Sequence, residues 1–325
     1  MMKPVPFLLH PAGKDYLWGG NRLRTLFGKQ ISLQPLAETW ECSTHPDGCS
    51  TVASGIYTGQ LLSEVLRQHP DYLGKYANSD GNLPVLIKLI DAEKNLSVQV
   101  HPDDAYAKQY ENGQNGKTEM WYVLEAKTGA SLIYGFSKPI PPVQLNSYLE
   151  NGIIEDCLQK IPVQKGDVFL IPAGTVHAIG AGIVLAEIQQ SSNLTYRLYD
   201  YHRTDAQGNK RPLHIEKAKA VMQISTAPPP QTKQPAIQKN GYQQQCLCKC
   251  SYFCTTLLTI QTTCDLHNIY PDQDTFQVLL CIDGNGILQS AENTLPFQKG
   301  DCLFLPANCA DSRLNGKATL LHIVC

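Results

Sequence analysis

The sequence has no apolar stretch near the ~18 residues that a membrane-spanning helix requires. We also expect no signal peptide, because residues 1–11 are short and interrupted by prolines. Neither sign of charge dominates, since 27 Lys and Arg against 29 Asp and Glu give a net charge of −2. That balance argues against a nucleic-acid partner or an anionic membrane surface. We therefore expect a soluble cytoplasmic protein that binds neither a membrane nor a nucleic acid.

The cysteines lack a Cys-x-x-Cys pair, although there are twelve of them and nine lie at or after Cys246. Cys246, Cys248 and Cys250 alternate along a predicted strand, which places them on one face, an unsuitable geometry for a tetrahedral metal cage. The pattern favours reduced, half-buried thiols. An accessory metal or redox site is the alternative.

The length of 325 residues allows roughly two domains. Residues 226–240 are rich in proline and predict a linker between a first domain, residues 1–225, and an all-β tail, residues 241–325. Residues 5–60 predict short strands and turns. Helical periodicity in the first domain predicts four inserts, at about residues 60–75, 103–111, 140–160 and 215–222.

An internal repeat links the two halves of the chain. Residues 164–173 recur, with a few substitutions, as residues 298–307, at an offset of 298 − 164 = 134. The Gly-Asp pair predicts a turn, the apolar run a buried strand, and the proline its end. In the second copy Asp311 stands in the place of His177, so the tail is expected to be metal-free and structural.

Four side chains form a candidate metal site. Gln99 and His101 are two residues apart, so on a strand they share a face. Glu119 opens an apolar run that predicts a neighbouring strand, and His177 follows a Pro-x-Gly turn. Two imidazoles, a carboxylate and an amide oxygen suit a divalent ion; we expect Zn2+, and other divalent ions are the alternative.

The chain resembles known families in several motifs. Residues 166–177 resemble the second motif of the cupins, which are small β-barrels that hold a metal at the mouth. Further segments occur in the order found in type I mannose-6-phosphate isomerases of the short bacterial kind. These segments are residues 16–20, 37–41, 89–92, 96–103, 116–121, 172–177 and 196–200.

This resemblance implies a mainly β fold of two cupin-type jelly-roll barrels with helical insertions in the N-terminal part. It also implies an aldose–ketose isomerase that interconverts mannose 6-phosphate and fructose 6-phosphate through an enediol(ate). The metal ligands would be Gln99, His101, Glu119 and His177. Arg197 would stabilise the developing negative charge.

The proton-transfer base is left open by the sequence. Lys117 is one candidate, because burial or a nearby metal lowers the pKa of a lysine. Glu187, on the strand after the last metal ligand, is another, and Glu38 is a more distant third. A structural salt bridge is the alternative role for each of them.

The resemblance also implies contacts with a sugar phosphate. Ser97 and Lys88 correspond to phosphate-binding positions, and Lys117 is a further candidate contact. Trp18 and Tyr16 are candidates for the wall of the sugar pocket, and aromatic core packing is their alternative role. An internal ion pair is the alternative role for Lys88, because a buried ammonium group needs a partner. No glycine-rich phosphate loop is present or required.

Two other functions are compatible with the barrel. A non-enzymatic sugar-binding cupin would keep the pocket but would not need Arg197. A metal-dependent oxygenase commonly uses three histidines and a glutamate, and Gln99 in the place of a histidine argues against it. The sequence gives no oligomeric state.

Overall fold

The computed structural model describes residues 3–150, 153–205, 207–226, 234–290 and 293–325. The predicted proline-rich linker, residues 226–240, therefore lies partly outside the described residues. Its last part includes a short strand, at Ile237–Lys239. Among the helices of the described ranges, none has the length and apolar character needed to cross a membrane.

The first two thirds of the chain supply thirteen strands within the described ranges. They are β1 (Phe7–His10), β2 (Ala12–Lys14), β3 (Glu38–Cys42), β4 (Thr51–Val52), β5 (Val85–Ala92), β6 (Val98–Val100), β7 (Glu119–Ala126), β8 (Ser131–Phe136), β9 (Leu158–Pro162), β10 (Val168–Ile171), β11 (His177–Ile179), β12 (Ile183–Gln190) and β13 (Tyr196–Tyr199).

The tail adds eight strands in its described part. They are β14 (Ile237–Lys239), β15 (Tyr242–Lys249), β16 (Cys254–Ile260), β17 (Thr263–Asp265), β18 (Gln277–Ser290), β19 (Thr294–Gln298), β20 (Cys302–Leu305) and β21 (Ser312–Val324).

Five α-helices occur in the described residues: α1 (Arg22–Phe27), α2 (Leu62–Gln68), α3 (Asp104–Tyr110), α4 (Pro142–Glu150) and α5 (Ile215–Val221). Each of the last four lies in a region for which the sequence predicts a helical insert. The first helix does not, because residues 5–60 predict only strands and turns. It buries Leu23 and Phe27 and ends at Gly28, whose φ of +63° suits glycine.

The strands form three antiparallel sheets, so the protein is mainly β. The first domain has a six-stranded sheet of order β10-β7-β12-β5-β3-β2 and a five-stranded sheet of order β13-β6-β11-β8-β9. A ten-stranded sheet contains all the tail strands and also β1 and β4. The N-terminal strand β1 pairs with β20 of the tail, so hydrogen bonds cross the predicted domain boundary.

The six-stranded sheet forms the middle layer, because its two faces contribute to different hydrophobic clusters. On one face, Trp121 and Leu185 pack with Leu132 and Ile179 of the five-stranded sheet. On the other face, alternate residues such as Met120 belong to a cluster that includes residues of the ten-stranded sheet. The period-two alternation of strand side chains explains both contacts.

The sequence repeat is also a structural repeat. In the first copy the Gln164 N–H donates to Asp167 Oδ2 over 2.9 Å, and Gly166 has a φ of +87°. In the second copy the Gln298 N–H donates to Asp301 Oδ2 over 2.8 Å, and Gly300 has a φ of +96°. Each turn leads into a strand, β10 or β20, that pairs with β7 or β18 respectively.

The cysteine-rich strand β15 departs from simple alternation. Its register on β16 shifts between Cys246 and Cys248, which lie opposite Thr256 and Thr255 respectively. Because Thr255 and Thr256 point to opposite faces of β16, Cys246 and Cys248 do so as well. The expectation that these cysteines share one face is therefore wrong.

Candidate functional site

Polar side chains gather between the five-stranded and six-stranded sheets. Glu119 is the first residue of β7, in the six-stranded sheet, while His177 begins β11 in the opposing sheet. His177 is paired in register with Gln99 on β6, and His101 follows that strand directly. The pairing explains how ligands distant in sequence meet.

His101, Glu119 and His177 form a buried cluster whose candidate ligand atoms all lie within 4.8 Å of one another. His101 Nε2 is 3.2 Å from Glu119 Oε1, and His177 Nε2 is 3.7 Å from Glu119 Oε2. Lys117 Nζ lies 2.7 Å from Glu119 Oε1 and 3.3 Å from His101 Nε2. The cluster thus combines two imidazoles, one carboxylate and one ammonium group.

Hydrogen bonds orient the ligand atoms. The Nδ1–H of His177 donates to the Thr175 carbonyl over 2.8 Å, which leaves the Nε2 lone pair facing the cluster. The Gln99 amide lies 3.4 Å from that Nε2, and its Oε1 accepts a hydrogen bond from Ser97 Oγ over 3.4 Å. A rotation of the amide exchanges its nitrogen and oxygen, so Gln99 could offer an oxygen as a fourth ligand.

Burial and charge keep the ligands in the protonation states that metal binding needs. Burial, and next to it the Lys117 charge, lower the pKa of His101 to about 3, although Glu119 opposes this. Burial also lowers the pKa of His177. Burial alone would raise the pKa of Glu119, but Lys117 and the two imidazoles hold it well below its usual value. Neutral imidazoles and an ionised carboxylate are the forms that coordinate a metal.

A second observation indicates that this cluster is suited to a metal ion. Glu119 Oε2 and the Nδ1 of His101 are buried without a hydrogen-bond partner among the described residues. Buried polar atoms of a native protein are almost always satisfied. The group His101, Glu119 and His177 could therefore hold a metal ion, for which it offers a suitable N/O donor set.

A second group of charges lies beside the cluster on the six-stranded sheet. Lys88 Nζ is 3.0 Å from Glu187 Oε1 and 3.7 Å from Glu38 Oε2. The indole N–H of Trp121 donates to Glu187 Oε2 over 2.8 Å, and that of Trp40 donates to Glu38 Oε2 over 2.7 Å. The ion-pair role that the sequence left open for Lys88 is therefore present in the structure.

Opposing influences act on the pKa values of Glu187 and Lys88, two of the three charged residues in this group. Burial raises the pKa of Glu187, and the nearby Glu119 raises it further against the pull of Lys88. Burial alone would lower the pKa of Lys88, but Glu187 and Glu38 raise it above its usual value. Glu187 is thus a carboxylate that takes up a proton more readily than an ordinary one.

A cavity of about 270 Å³ lies next to both groups. Its walls hold every catalytic and substrate-binding residue that the sequence predicts, and also Gln99. The lining residues are Tyr16, Trp18, Glu38, Lys88, Ile90, Leu96, Ser97, Gln99, Lys117, Ile179, Glu187, Asn193, Thr195, Arg197 and Arg211. Trp18 stacks on Tyr16 with ring centroids 5.5 Å apart.

Two arginines give the cavity a cationic wall. Arg197 Nη1 donates to the Pro212 carbonyl over 2.8 Å, and its buried Nε has no hydrogen-bond partner among the described residues. Arg211 donates from Nε and Nη2 to the two oxygens of Asp200, over 2.8 and 2.6 Å. Sequence reasoning missed Arg211, because a single arginine in a polar loop carries no distinctive pattern.

Asp104, at the start of α3, fixes the segment that carries Lys117. Its Oδ1 accepts hydrogen bonds from the Gly116 N–H over 2.8 Å and from Gln190 Nε2 over 3.0 Å. Its Oδ2 accepts a hydrogen bond from the Tyr252 hydroxyl of the tail over 3.0 Å. The tail thus contributes to the position of a site segment in the first domain.

The second copy of the repeat has different residues at the equivalent positions. The matched registers of β10 on β7 and of β20 on β18 place Gln277 where Glu119 stands. The neighbouring strands place His322 where Glu187 stands. His322 Nε2 and Gln277 Oε1 are 2.7 Å apart. The two carboxylates of the first copy are thus replaced by a neutral hydrogen-bonded pair.

Two parts of the chain match models of known protein families. Residues 243–325 match the cupin domain of mannose-6-phosphate isomerases, so the protein is a mainly β protein with a cupin domain. Residues 7–131 match the catalytic domain of type I phosphomannose isomerases.

The whole chain has relatives of similar length. It is 37% identical over 317 residues to the mannose-6-phosphate isomerase ManA of Bacillus subtilis, with 98% of each chain covered. It is also 37% identical to the mannose-6-phosphate isomerase of Streptococcus mutans, with 97% of each chain covered. The crystal structure of the Bacillus subtilis mannose 6-phosphate isomerase superposes with a TM-score of 0.92 at 33% identity, covering 99% of this chain and 100% of that one. The chain belongs to the type I mannose-6-phosphate isomerase family.

Proposed function

We propose that the cavity binds mannose 6-phosphate and fructose 6-phosphate and interconverts them. The observation that carries this proposal is the position of the cavity. It touches the buried His-Glu-His cluster through Lys117 and Gln99, and Arg197, the in-register neighbour of Gln99, also lines it. A metal site beside a polar, cationic cavity suits a reaction in which negative charge develops on a sugar oxygen.

The metal ion in this proposal is Zn2+, held by His101, Glu119 and His177 with Gln99 as the fourth ligand. When bound, the ion polarises the carbonyl and hydroxyl oxygens of the sugar. Lys117 keeps Glu119 ionised, and the Thr175 carbonyl holds His177 in the required tautomer.

Glu187 is proposed as the base that transfers the proton between C1 and C2 of the sugar. Its carboxylate lines the cavity, the Trp121 indole fixes one oxygen, and burial raises its pKa. A general base works best when its pKa approaches the working pH. Lys117, the other candidate, forms an ion pair with Glu119 Oε1 over 2.7 Å, which suits a role in stabilising negative charge. Glu38 remains the third candidate.

The proposed substrate contacts come from two sets of lining residues. Ser97, Lys88 and Lys117 are proposed to bind oxygens of the sugar phosphate on the metal side, and Trp18 to pack against the sugar. At the arginine wall, Arg211 offers a guanidinium group suited to a phosphate. The charge of Lys88 is balanced by two carboxylates. The single carboxylate of Asp200 is instead shared by Arg211 and Arg203, so this group of three keeps a net positive charge.

The proposed fold of the site is a jelly-roll barrel closed by the five-stranded and six-stranded sheets. A second barrel would be formed by the tail without a metal. Support comes from the shared hydrophobic cluster between the first two sheets and from the repeated turn and strand of the second copy.

A coupled assay that oxidises the glucose 6-phosphate made from fructose 6-phosphate tests the proposed activity. We expect turnover of mannose 6-phosphate by the purified protein. Saturable binding of the sugar phosphate without turnover would instead support a sugar-binding cupin.

The substitution Arg211→Ala should raise the KM for mannose 6-phosphate about tenfold, which corresponds to about 1.4 kcal/mol of lost binding. Its kcat should change by less than about twofold, because the phosphate is remote from the reacting carbons. Steady-state kinetics of both constants checks this prediction.

Arg203→Ala is the matched control, because Arg203 also pairs with Asp200 but does not line the cavity. It should leave KM unchanged. Equal effects of the two substitutions would show that Arg211 acts only by holding Asp200.

A further inference from the structure

The turn between β15 and β16 carries a residue of the tail to the first domain. A hydrogen bond from the Cys250 N–H to the Phe253 carbonyl, over 3.0 Å, closes this turn. Phe253 is buried in the hydrophobic cluster that the ten-stranded and six-stranded sheets share, and Tyr252 packs against the same cluster. The packing of the tail therefore places the Tyr252 hydroxyl, which donates to Asp104 Oδ2 over 3.0 Å.

Asp104 and Gln190 together hold both residues that flank Lys117. The Gly116 N–H and Gln190 Nε2 donate to Asp104 Oδ1, over 2.8 and 3.0 Å. The side-chain oxygen of Gln190 accepts a hydrogen bond from the Thr118 N–H over 2.9 Å, and the Gln190 N–H donates to the Thr118 carbonyl over 3.1 Å. Gln190 is only 4% exposed, so water competes little for these bonds. The backbone on each side of Lys117 is thus tied to one carboxylate.

The same segment leads directly to the candidate metal ligand Glu119. The ammonium group of Lys117 lies 2.7 Å from Glu119 Oε1. A Cβ at Gly116 would lie 2.4 Å from the carbonyl carbon of Asp103, so the segment packs closely against the start of α3. A shift of the Asp104 carboxylate would therefore move Lys117 and the first residue of β7 with it.

We propose that Tyr252 is a positioning residue of the isomerase site, which acts from the tail through Asp104. The inference rests on the proposed function, because it concerns the placement of Lys117 and Glu119 in that site. A hydrogen bond to a carboxylate is stronger than one between neutral groups. The Tyr252 hydroxyl fixes the rotation of the Asp104 carboxylate and so directs its Oδ1 at the segment that carries Lys117.

The substitution Tyr252→Phe tests the proposal on the full-length protein, because it removes the hydroxyl and keeps the ring that packs in the hydrophobic cluster. We expect a peptide that contains Gly116 and Thr118 to exchange its amide hydrogens about tenfold faster, as measured by mass spectrometry. Zn2+ should bind about tenfold more weakly in competition with a chromophoric chelator, as for other residues that support metal ligands. At saturating Zn2+, kcat should fall about fivefold and KM should change by less than about twofold.

Tyr270→Phe is the matched control, because the Tyr270 hydroxyl also donates to an aspartate, Asp274, but one that belongs to the tail. It should leave the exchange of the Gly116 peptide, the zinc affinity and kcat unchanged. In an Asp104→Ala protein, Tyr252→Phe should have no further effect, since the tyrosine acts through that carboxylate.

Three results would overturn the proposal: unchanged exchange and zinc affinity in Tyr252→Phe, equal effects of Tyr270→Phe, or additive effects of Tyr252→Phe and Asp104→Ala. The thermal transition of each variant verifies that the comparison is between folded proteins. Failure of the proposed function is distinguishable, because it would show as absent turnover in the unaltered protein. Normal turnover there, with a Tyr252→Phe protein that behaves identically, would refute this inference alone.

Discussion

Replacing His101 with alanine should remove the bound metal and lower kcat/KM by more than about 100-fold, because the loss of even an outer-shell partner of a metal costs 10- to 100-fold. His101 lies in a buried cluster with Glu119 and His177. Without the His101 imidazole, Glu119, His177 and the Gln99 amide are the candidate ligands that are left. Elemental analysis of the purified variant and the coupled assay measure the two effects.

The His101→Ala chain should still fold, because extensive hydrophobic clusters surround the site. A cooperative thermal transition and an unchanged far-UV spectrum check this. His10→Ala, an exposed histidine on β1, is the control and should retain metal and activity. Normal turnover by a His101→Ala protein that contains no metal would refute the assigned role.

Replacing Arg197 with lysine should lower kcat about 100-fold, the effect of removing one donor to a developing oxyanion. The guanidinium is held by its hydrogen bond to the Pro212 carbonyl and leaves Nε unpartnered at the cavity wall. A lysine keeps the charge but cannot offer two fixed donors. Because the lost interaction is strongest in the transition state, KM should change by less than about threefold.

Arg67→Lys on α2 provides the control, since Arg67 is exposed and does not line the cavity. Its kcat and KM should equal those of the unaltered protein. An increase in KM with an unchanged kcat for Arg197→Lys would assign Arg197 to substrate binding alone.

Much of the fold follows from sequence patterns. The repeat at an offset of 134 residues corresponds to matching turns at Gly166 and Gly300. The partners of distant strands do not follow from such patterns, because periodicity shows which face is buried but not what covers it. The pairing of β1 with β20 is one example. Helix α1 is another, since tertiary burial of Leu23 and Phe27 accompanies a six-residue helix without a side-chain cap.

The sequence predicts those residues of the candidate site that lie in recognisable motifs. His101, Glu119 and His177 stand in recognisable blocks, and the structure brings them together. The pairing of Lys88 with Glu187 depends on strand register, which a single sequence does not specify. The separation of Cys246 from Cys248 depends on a register shift that leaves no sequence signal.

The central claim is that isomerisation depends on an ion held by the buried cluster. The most direct test removes metal from the protein with a chelator, adds Zn2+ back in steps, and measures turnover of mannose 6-phosphate against the bound zinc. The account predicts no turnover without metal and a linear rise that ends at about one ion per chain. Full turnover by the metal-free protein would contradict it.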